Sequence, residues 1–169
     1  ASGIQNAGDC FSVSVEPVSC TKSVSAAAEI LGTCTQAAGS VATNCLTGSS
    51  ITSAACTTAS TAIDPCTWGG TAAVVGNGIP TGSDKVVIKR NPGSGTFENI
   101  IAVFSDGTNS GSVPASTLIT STLLAELAST TQNFVVPTTP AIGATHTVTV
   151  VPKVNGQLCQ VTEVPISCN

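Results

Sequence analysis

The spacing of the cysteines constrains the fold of this chain more than any other feature of its sequence. The count is even, and no two cysteines show the Cys-x-x-Cys spacing of a metal site. Six lie in the first 66 residues and two lie near the C-terminal end: Cys10, Cys20, Cys34, Cys45, Cys56, Cys66, Cys159 and Cys168. This pattern predicts structural disulfides and an extracellular or cell-surface location, because disulfides persist in oxidising compartments.

The composition indicates a mainly β fold. Charged residues make up 8% of the chain and aromatic residues 3%, and most of the remainder is Ala, Val, Thr, Ser and Gly. Small and β-branched side chains suit a pleated sheet. A chain this poor in charge also lacks the signature of intrinsic disorder.

The charge pattern excludes several classes of partner. The net charge is −4 and the five basic residues are scattered, so we expect no nucleic-acid partner, which would need a basic stripe. No apolar run reaches the roughly 18 residues that a membrane helix needs, so we expect no membrane span. The abundant Ser and Thr residues are possible sites of O-linked glycans.

Residues 11–18 predict a half-buried strand. Phe11, Val13 and Val15 alternate with polar residues and fall on one face. Pro17 places the strand at a sheet edge or ends it. The same three apolar residues form a candidate assembly strand, which would either pair within its own subunit or fill a groove in a neighbouring one.

Residues 21–68 predict a disulfide-stapled, partly helical region. Apolar residues recur every three or four positions over 23–45, which indicates a helix, and a second helix is expected over 50–63. An antiparallel helical hairpin would form the pairs Cys45–Cys56 and Cys34–Cys66. The alternative is a small β-solenoid, because the cysteine spacing there is close to eleven residues, but the regular Thr ladder of such solenoids is missing.

From residue 71 onward the pattern is that of an all-β region. Strands are expected over 85–89, 100–104, 132–136 and 145–154, whereas 117–127 is ambiguous between helix and strand. Asn155-Gly156 predicts a tight hairpin between 150–154 and 157–166. Several short strands separated by such turns indicate a β-sandwich.

Two segments near the ends of the chain have similar sequences. Residues 10–20 and 159–168 are both strand-like segments bracketed by cysteines. If they paired antiparallel, Cys10 would bond Cys168 and Cys20 would bond Cys159. Alternatively, each segment bonds elsewhere in the chain.

No catalytic, cofactor-binding or metal-binding constellation stands out. His146 is the single histidine and lies in an alternating strand, with no Gly-x-Ser-x-Gly elbow in the chain to accompany it. The turn that begins at Asp106 offers too few carboxylates for calcium. Trp68 is expected to pack against the disulfide-rich region. We therefore predict a protein that is not an enzyme and uses no cofactor.

Four segments carry a resemblance to a known family. They are Lys85-Val-Val-Ile-Lys89, Asn91-Pro-Gly-Ser-Gly95, Asn99-Ile-Ile-Ala-Val-Phe-Ser-Asp-Gly-Thr108 and Thr145-His-Thr-Val-Thr-Val-Val-Pro-Lys-Val-Asn-Gly-Gln-Leu-Cys159. Together they resemble the immunoglobulin-like β-domains of archaeal pilins and related surface-filament proteins. The resemblance implies an immunoglobulin-like β-sandwich and self-assembly. Those pilins assemble through a long apolar N-terminal helix, whereas residues 1–20 do not follow that pattern, so assembly here would need another mechanism.

Together these features predict the domain organisation and the function of the chain. Residues 1–169 form a single domain with a stapled segment over 21–68 and a sandwich core over 71–169, which strand 11–18 of the same or a neighbouring chain joins. The expected function is that of an extracellular structural subunit, a homopolymer that builds a pilus-like filament or coat by β-strand addition. The alternative is a monomeric secreted binding module, such as a fungal effector or a carbohydrate or ice binder.

Overall fold

A computed structural model describes residues 4–5, 10, 12–37, 44–160 and 163–169. The described chain is mainly β, as the composition predicts, with one short helix. The strands are β1 (Ile4–Gln5), β2 (Val15–Lys22), β3 (Cys34–Gln36), β4 (Cys66–Trp68), β5 (Ser83–Arg90), β6 (Asn99–Ser105), β7 (Ser110–Pro114), β8 (Ser129–Val135), β9 (Thr147–Val154), β10 (Gln157–Cys159) and β11 (Ile166–Ser167). The helix α1 (Ser53–Ala59) lies between β3 and β4.

The chain divides into two compact units. The first combines residues 1–23 with 78–169, and the second is residues 24–77. The disulfide-rich segment that was expected over 21–68 therefore corresponds to a unit that extends to residue 77.

Two sheets make up the first unit. In the larger one the strand order is β1-β10-β9-β6-β7, and β11 pairs with β9 beside β10. The smaller one has the order β2-β5-β8. All neighbours are antiparallel except β1 and β10. The strands predicted over 85–89, 100–104, 132–136 and 145–154 are confirmed as β5, β6, β8 and β9, with shifted ends.

Both sheets contribute side chains to one buried cluster. Val86 and Ile88 from β5 meet Ile100 and Phe104 from β6, and all four side chains are fully buried. The alternation of β5 places every second residue on this inner face. Burial of side chains of this size stabilises the fold by about 1.5–3 kcal/mol each.

The hairpin predicted at Asn155-Gly156 is confirmed. Both residues have positive φ, 51° and 77°, as a type I′ turn requires. The strand after the turn is shorter than expected, since only Gln157 and Leu158 pair with the end of β9. The chain returns to β9 at β11, where Ile166 lies opposite Val148.

The second unit contains an antiparallel ribbon where the first helix was predicted. β3 pairs with β4, and isolated bridges join Ala27 to Val74 and Ile30 to Thr71. The prediction of a helix over 23–45 is therefore wrong for residues 23–37 and 44–45, and residues 38–43 lie outside the described part. The ribbon also excludes the coils of a β-solenoid, whereas α1 confirms part of the helix predicted over 50–63.

Gly32 gives a physical reason for the ribbon. A Cβ at this position would lie 2.2 Å from the backbone nitrogen of Gly70, so the two glycines allow the two backbones to approach closely. A helix over these residues would lose that contact. The segment also contains the β-branched residues Val24 and Ile30, which favour extended structure, beside alanines that favour a helix.

Candidate functional site

All eight cysteines are disulfide-bonded. The bonds are Cys10–Cys159, Cys20–Cys168, Cys34–Cys56 and Cys45–Cys66. The prediction of structural disulfides is confirmed. Two bonds join the two terminal segments to each other, and the other two bonds join the four middle cysteines, as the antiparallel and helical-hairpin pairings both required.

The predicted partners within the first unit are wrong. Cys10 bonds Cys159 and Cys20 bonds Cys168, the reverse of the pairing expected from two antiparallel segments. The reason is that the two segments do not form an antiparallel pair. Where they meet, the N–H of Lys22 donates to the carbonyl of Asn169 and the N–H of Asn169 donates to the carbonyl of Cys20, which is the parallel sense. β2 pairs with β5 in the smaller sheet, whereas β10 and β11 pair with β9 in the larger sheet.

The predicted partners within the second unit are also wrong. Cys34 bonds Cys56 and Cys45 bonds Cys66, whereas a helical hairpin would have exchanged these partners. Cys34 lies on β3 and not on a helix, and α1 presents its one buried residue, Cys56, to it.

The candidate assembly strand lies in the core of its own unit. Val13 and Val15 are 7% and 2% exposed and belong to the buried cluster. Phe11 lies outside the described residues. β2 pairs with β5 along its length, with an irregularity between Pro17 and Ser19, so Pro17 lies in an edge strand as predicted. Whether this segment also serves a neighbouring subunit stays a prediction.

His146 is buried and fully engaged. Its Nε2 lies 2.5 Å from Oδ2 of Asp84, and its Nδ1 lies 2.8 Å from the carbonyl oxygen of Gly143. The ring packs edge-on against Phe104 at 5.7 Å between centroids. Both ring nitrogens are therefore held by contacts within the first unit.

The Asp106 carboxylate holds the turn that it begins. Its Oδ1 accepts hydrogen bonds from the backbone N–H groups of Thr108 and Asn109, at 2.8 and 2.6 Å, and its Oδ2 accepts one from Gly143 at 2.8 Å. These backbone donors, first that of Asn109, lower the pKa of the exposed carboxyl below its ordinary 3.8.

Trp68 packs within the disulfide-rich unit, as expected. Its indole N–H donates a hydrogen bond of 2.9 Å to the carbonyl of Ile51. Gly70 accommodates the ring, since a Cβ there would lie 2.3 Å from it. The side chain therefore acts as packing for the ribbon.

A buried arginine escaped the sequence analysis. Arg90 is 4% exposed, and its guanidinium donates hydrogen bonds to four backbone carbonyls, those of Ser121, Leu124, Gly93 and Gly95. It also lies 5.1 Å above the ring of Phe97. The alternation of β5 could have indicated its burial, because Arg90 lies on the same face of the strand as Val86 and Ile88.

The second unit exposes an unusual share of aliphatic surface. Seven of the thirteen exposed large aliphatic side chains in the described part belong to it: Val24, Ile30, Leu31, Leu46, Ile63, Val74 and Val75. The unit contains only two charged residues, Glu29 and Asp64. Such a charge-poor surface is typical of regions that contact other molecules.

β8 forms an open edge of the smaller sheet. Among the described strands it pairs only with β5. It has no charged residue and no proline, and Thr131, Asn133 and Val135 are exposed. Natural proteins usually blunt such edges with lysine or proline, because an open edge is a template for another strand.

One groove lies within the second unit. It has a volume of about 460 Å³ and is lined by Cys34, Cys45 and Leu46, together with Thr33, Thr35, Gln36, Thr47 and Gly48. Its lining offers hydroxyl, amide and aliphatic groups that can contact a ligand.

The described residues contain no helix long and apolar enough to cross a membrane. No protein-family model, curated protein or solved structure matches this chain.

Proposed function

We propose that this protein is a non-enzymatic, extracellular structural subunit that assembles with copies of itself into a filament or coat by β-strand addition. The observation that carries the proposal is the open, uncharged edge of β8. Strand addition at such an edge gains backbone hydrogen bonds, and the exposed side chains of the strand decide which partner fits.

The contrast with the other outer strands supports β8 as the site of addition. β7 ends in Pro114, and β2 contains Pro17 together with the charged residues Glu16 and Lys22. These are the features that discourage strand pairing. β8 offers seven residues with none of them, a length close to that of an average strand.

Two further observations fit an extracellular subunit. Four disulfides suit an oxidising compartment and resistance to unfolding. The exposed aliphatic side chains of residues 24–77 supply surface that a neighbouring subunit would bury.

The proposal extends to the fold family. Two sheets that share one buried cluster support an immunoglobulin-like β-sandwich. The resemblance of residues 85–159 to the immunoglobulin-like domains of archaeal pilins supports the same fold family. Ser and Thr side chains on the exposed surface are its candidate sites for O-glycans.

Donation of residues 11–18 to a neighbour is the other form of strand addition. Cys10 and Cys20 flank this segment, and each is bonded within its own chain, to Cys159 and Cys168. Donation would carry both cysteines to the neighbour and link the subunits covalently. Non-reducing electrophoresis separates the two forms: edge addition gives monomers, whereas donation gives a ladder.

Charge placed on the β8 edge tests the proposal. The variant Thr131→Lys/Asn133→Lys adds two lysines to exposed positions of the edge, and Ser94→Lys adds charge in an exposed turn as the matched control. We expect the wild type and the control to form polymers in electron micrographs and in sedimentation, and the edge variant to remain monomeric. A wild type that stays monomeric at millimolar concentration would refute self-assembly. Polymers of the edge variant would refute the role of β8.

The groove beside Cys34 and Cys45 favours a second candidate, a monomeric secreted binding module. Its volume of about 460 Å³ suits a small ligand. A monomeric wild type whose groove binds a saccharide in a glycan-array screen would favour this function over assembly.

A further inference from the structure

The open edge of β8 presents the backbone groups of every second residue. The carbonyl of Ala128, just before the strand, accepts a hydrogen bond of 2.9 Å from the N–H of Arg90 on β5. The N–H of Val136, just after the strand, donates one of 2.9 Å to the carbonyl of Gly82. The β5–β8 register has no shift between these points, and backbone groups along an antiparallel strand alternate in direction. The groups that point away from β5 therefore belong to Ser129, Thr131, Asn133 and Val135.

These four residues also have exposed side chains, and none of them is charged. The residues between them are half-buried or buried, and Phe134 is 1% exposed within the core cluster. Core packing thus holds β8 in an extended conformation before any partner arrives. A partner strand therefore gains the backbone hydrogen bonds without the cost of ordering β8.

The other outer strands narrow the choice of partner in a second copy. In the first unit, β7 ends in Pro114, β2 carries Pro17 together with Glu16 and Lys22, and β1 is two residues long. In the second unit, β3 and β4 are three residues each. Proline, charge and short length all limit pairing at an edge. Among the described strands, the counterpart that suits β8 best is therefore β8 of the second copy.

Two β8 strands fit each other in one antiparallel register that uses the full strand. With Gln132 on a two-fold axis, Thr131 lies opposite Asn133 of the second copy, and Ser129 lies opposite Val135. Each of these pairs directs its N–H and carbonyl groups at the other strand, so the contact forms about eight hydrogen bonds. No like charges meet across it. The edge is therefore self-complementary, as a two-fold contact requires.

We infer that the strand added at β8 is β8 of a second copy, in an antiparallel two-fold pair centred on Gln132. The two smaller sheets then join into one continuous sheet with the order β2-β5-β8-β8-β5-β2. This inference rests on the self-assembly proposed above and names its partner strand.

A two-fold pair closes on itself, so it makes a dimer, and a filament needs a second contact. The exposed aliphatic side chains of residues 24–77 supply a surface for that contact. Each dimer carries this surface twice. Two dimers that meet through both copies bind more tightly than two single chains, because the contacts act together. The β8 pair is thus the first step of assembly, and chains that cannot form it stay monomeric.

Two charge variants at the same exposed positions test the pairing. In Thr131→Lys/Asn133→Lys each introduced cation faces another cation across the axis, whereas in Thr131→Lys/Asn133→Glu each cation faces an anion. By sedimentation equilibrium below the concentration of polymer formation, we expect the first variant to raise the dissociation constant of the dimer about tenfold or more. The second should stay within about threefold of the wild type. Equal weakening by both variants would overturn the self-pairing, because another partner strand has no reason to distinguish them.

A cysteine on the axis tests the register. All eight native cysteines are bonded, so Gln132→Cys adds the one free thiol of the chain. The two copies of residue 132 face each other with Cα atoms about 4.5 Å apart, which a disulfide can span. Thr130→Cys is the matched control on the same half-buried face, because its two copies lie about 14 Å apart. We expect a covalent dimer of Gln132→Cys alone after oxidation and non-reducing electrophoresis, and a dimer of Thr130→Cys alone would overturn the register.

The failure of this inference can be told from the failure of self-assembly. A wild type that stays monomeric would contradict the assembly proposed above and this inference with it. Polymers of the wild type without a covalent dimer of Gln132→Cys would overturn the β8 pair alone. Dimers that crosslink at residue 132 and never grow into polymers would support the pair and contradict the filament.

Discussion

His146 and Asp84 join two sheets through a buried contact. Nε2 of His146, which precedes β9, lies 2.5 Å from Oδ2 of Asp84 on β5, and the two side chains are 5% and 4% exposed. The carbonyl of Gly143 can only accept a hydrogen bond, so Nδ1 carries a proton. The contact between Nε2 and Oδ2 joins a ring and a carboxyl group that both lie out of water.

Removal of either partner should destabilise the first unit strongly. We expect His146→Ala and Asp84→Ala each to lower the free energy of unfolding by about 3–5 kcal/mol, because each leaves the other group buried and unpaired. The double variant should cost clearly less than the sum of the two. Urea unfolding of all four proteins measures this coupling, and strictly additive losses would contradict it.

Arg90 predicts a second stability effect. Its guanidinium donates to four carbonyls of two loops, 91–97 and 119–128, and lies over Phe97. Arg90→Met should lower the unfolding free energy by about 3 kcal/mol or more, since hydrogen bonds to charged groups are worth about 1.5–3 kcal/mol each. Hydrogen exchange should also speed up in both loops. Lys89→Met, at the neighbouring half-buried position, is the control, and equal losses in the two variants would refute the role of Arg90.

The strands of the first unit were predictable because their signals are local. Alternation identified β5 and β9, and Asn155-Gly156 fixed the turn that follows. The only sign that β5 buries charged residues is that Asp84 and Arg90 share the alternating face of Val86 and Ile88. The local sequence does not show which carbonyls or which histidine these side chains contact. The strand predicted over 85–89 stopped one residue short of both Asp84 and Arg90, so neither their burial nor their partners were predicted.

The second unit was less predictable because its determinants are long-range. The three alanines of 24–31 favour a helix locally, whereas the contact between Gly32 and Gly70 that favours the ribbon joins residues far apart in sequence. The disulfide partners failed for the same reason. A pairing of cysteines follows from the relative placement of strands, and that placement is set by the whole sheet.

Asp106 predicts a pH dependence with a definite sign. Backbone donors hold the pKa of its folded-state carboxyl below 3.8, so the stabilisation it provides is fully present above the unfolded-state pKa. This stabilisation decreases as the pH falls below 3.8, and it is gone once the pH is below the folded-state pKa of Asp106. Asp106→Asn should therefore be less stable than the wild type at pH 7, and the difference should shrink as the pH falls below 4.

Unfolding at a series of pH values checks this prediction. Glu126→Gln is the control, because the Glu126 carboxylate accepts one longer hydrogen bond, 3.2 Å from the N–H of Gly93. Its stability difference from the wild type should be smaller at neutral pH. A difference for Asp106→Asn that stays constant down to pH 2 would show that the carboxylate charge is not the cause.

The terminal disulfides predict the largest loss of stability among the four bonds. Cys10–Cys159 and Cys20–Cys168 close loops with sequence separations of 149 and 148, whereas Cys34–Cys56 spans 22. Loop-closure entropy grows with loop length. Because the two terminal bonds run side by side, either one alone keeps the long loop closed, and only the removal of both opens it. The variant Cys10→Ala/Cys159→Ala/Cys20→Ala/Cys168→Ala should therefore cost about 4–5 kcal/mol or more, against about 3 kcal/mol for Cys34→Ala/Cys56→Ala.

Thermal unfolding of each variant, after non-reducing peptide mapping has verified its remaining bonds, makes the comparison. The first variant also unpairs the strand ends near β2 and β11, where the N–H of Asn169 donates to the carbonyl of Cys20. That hydrogen bond adds to the entropic loss, so the order of the two losses follows from both effects. A larger loss for Cys34→Ala/Cys56→Ala would show that strain or residual structure in the unfolded chain, and not loop length, decides the contribution of these disulfides.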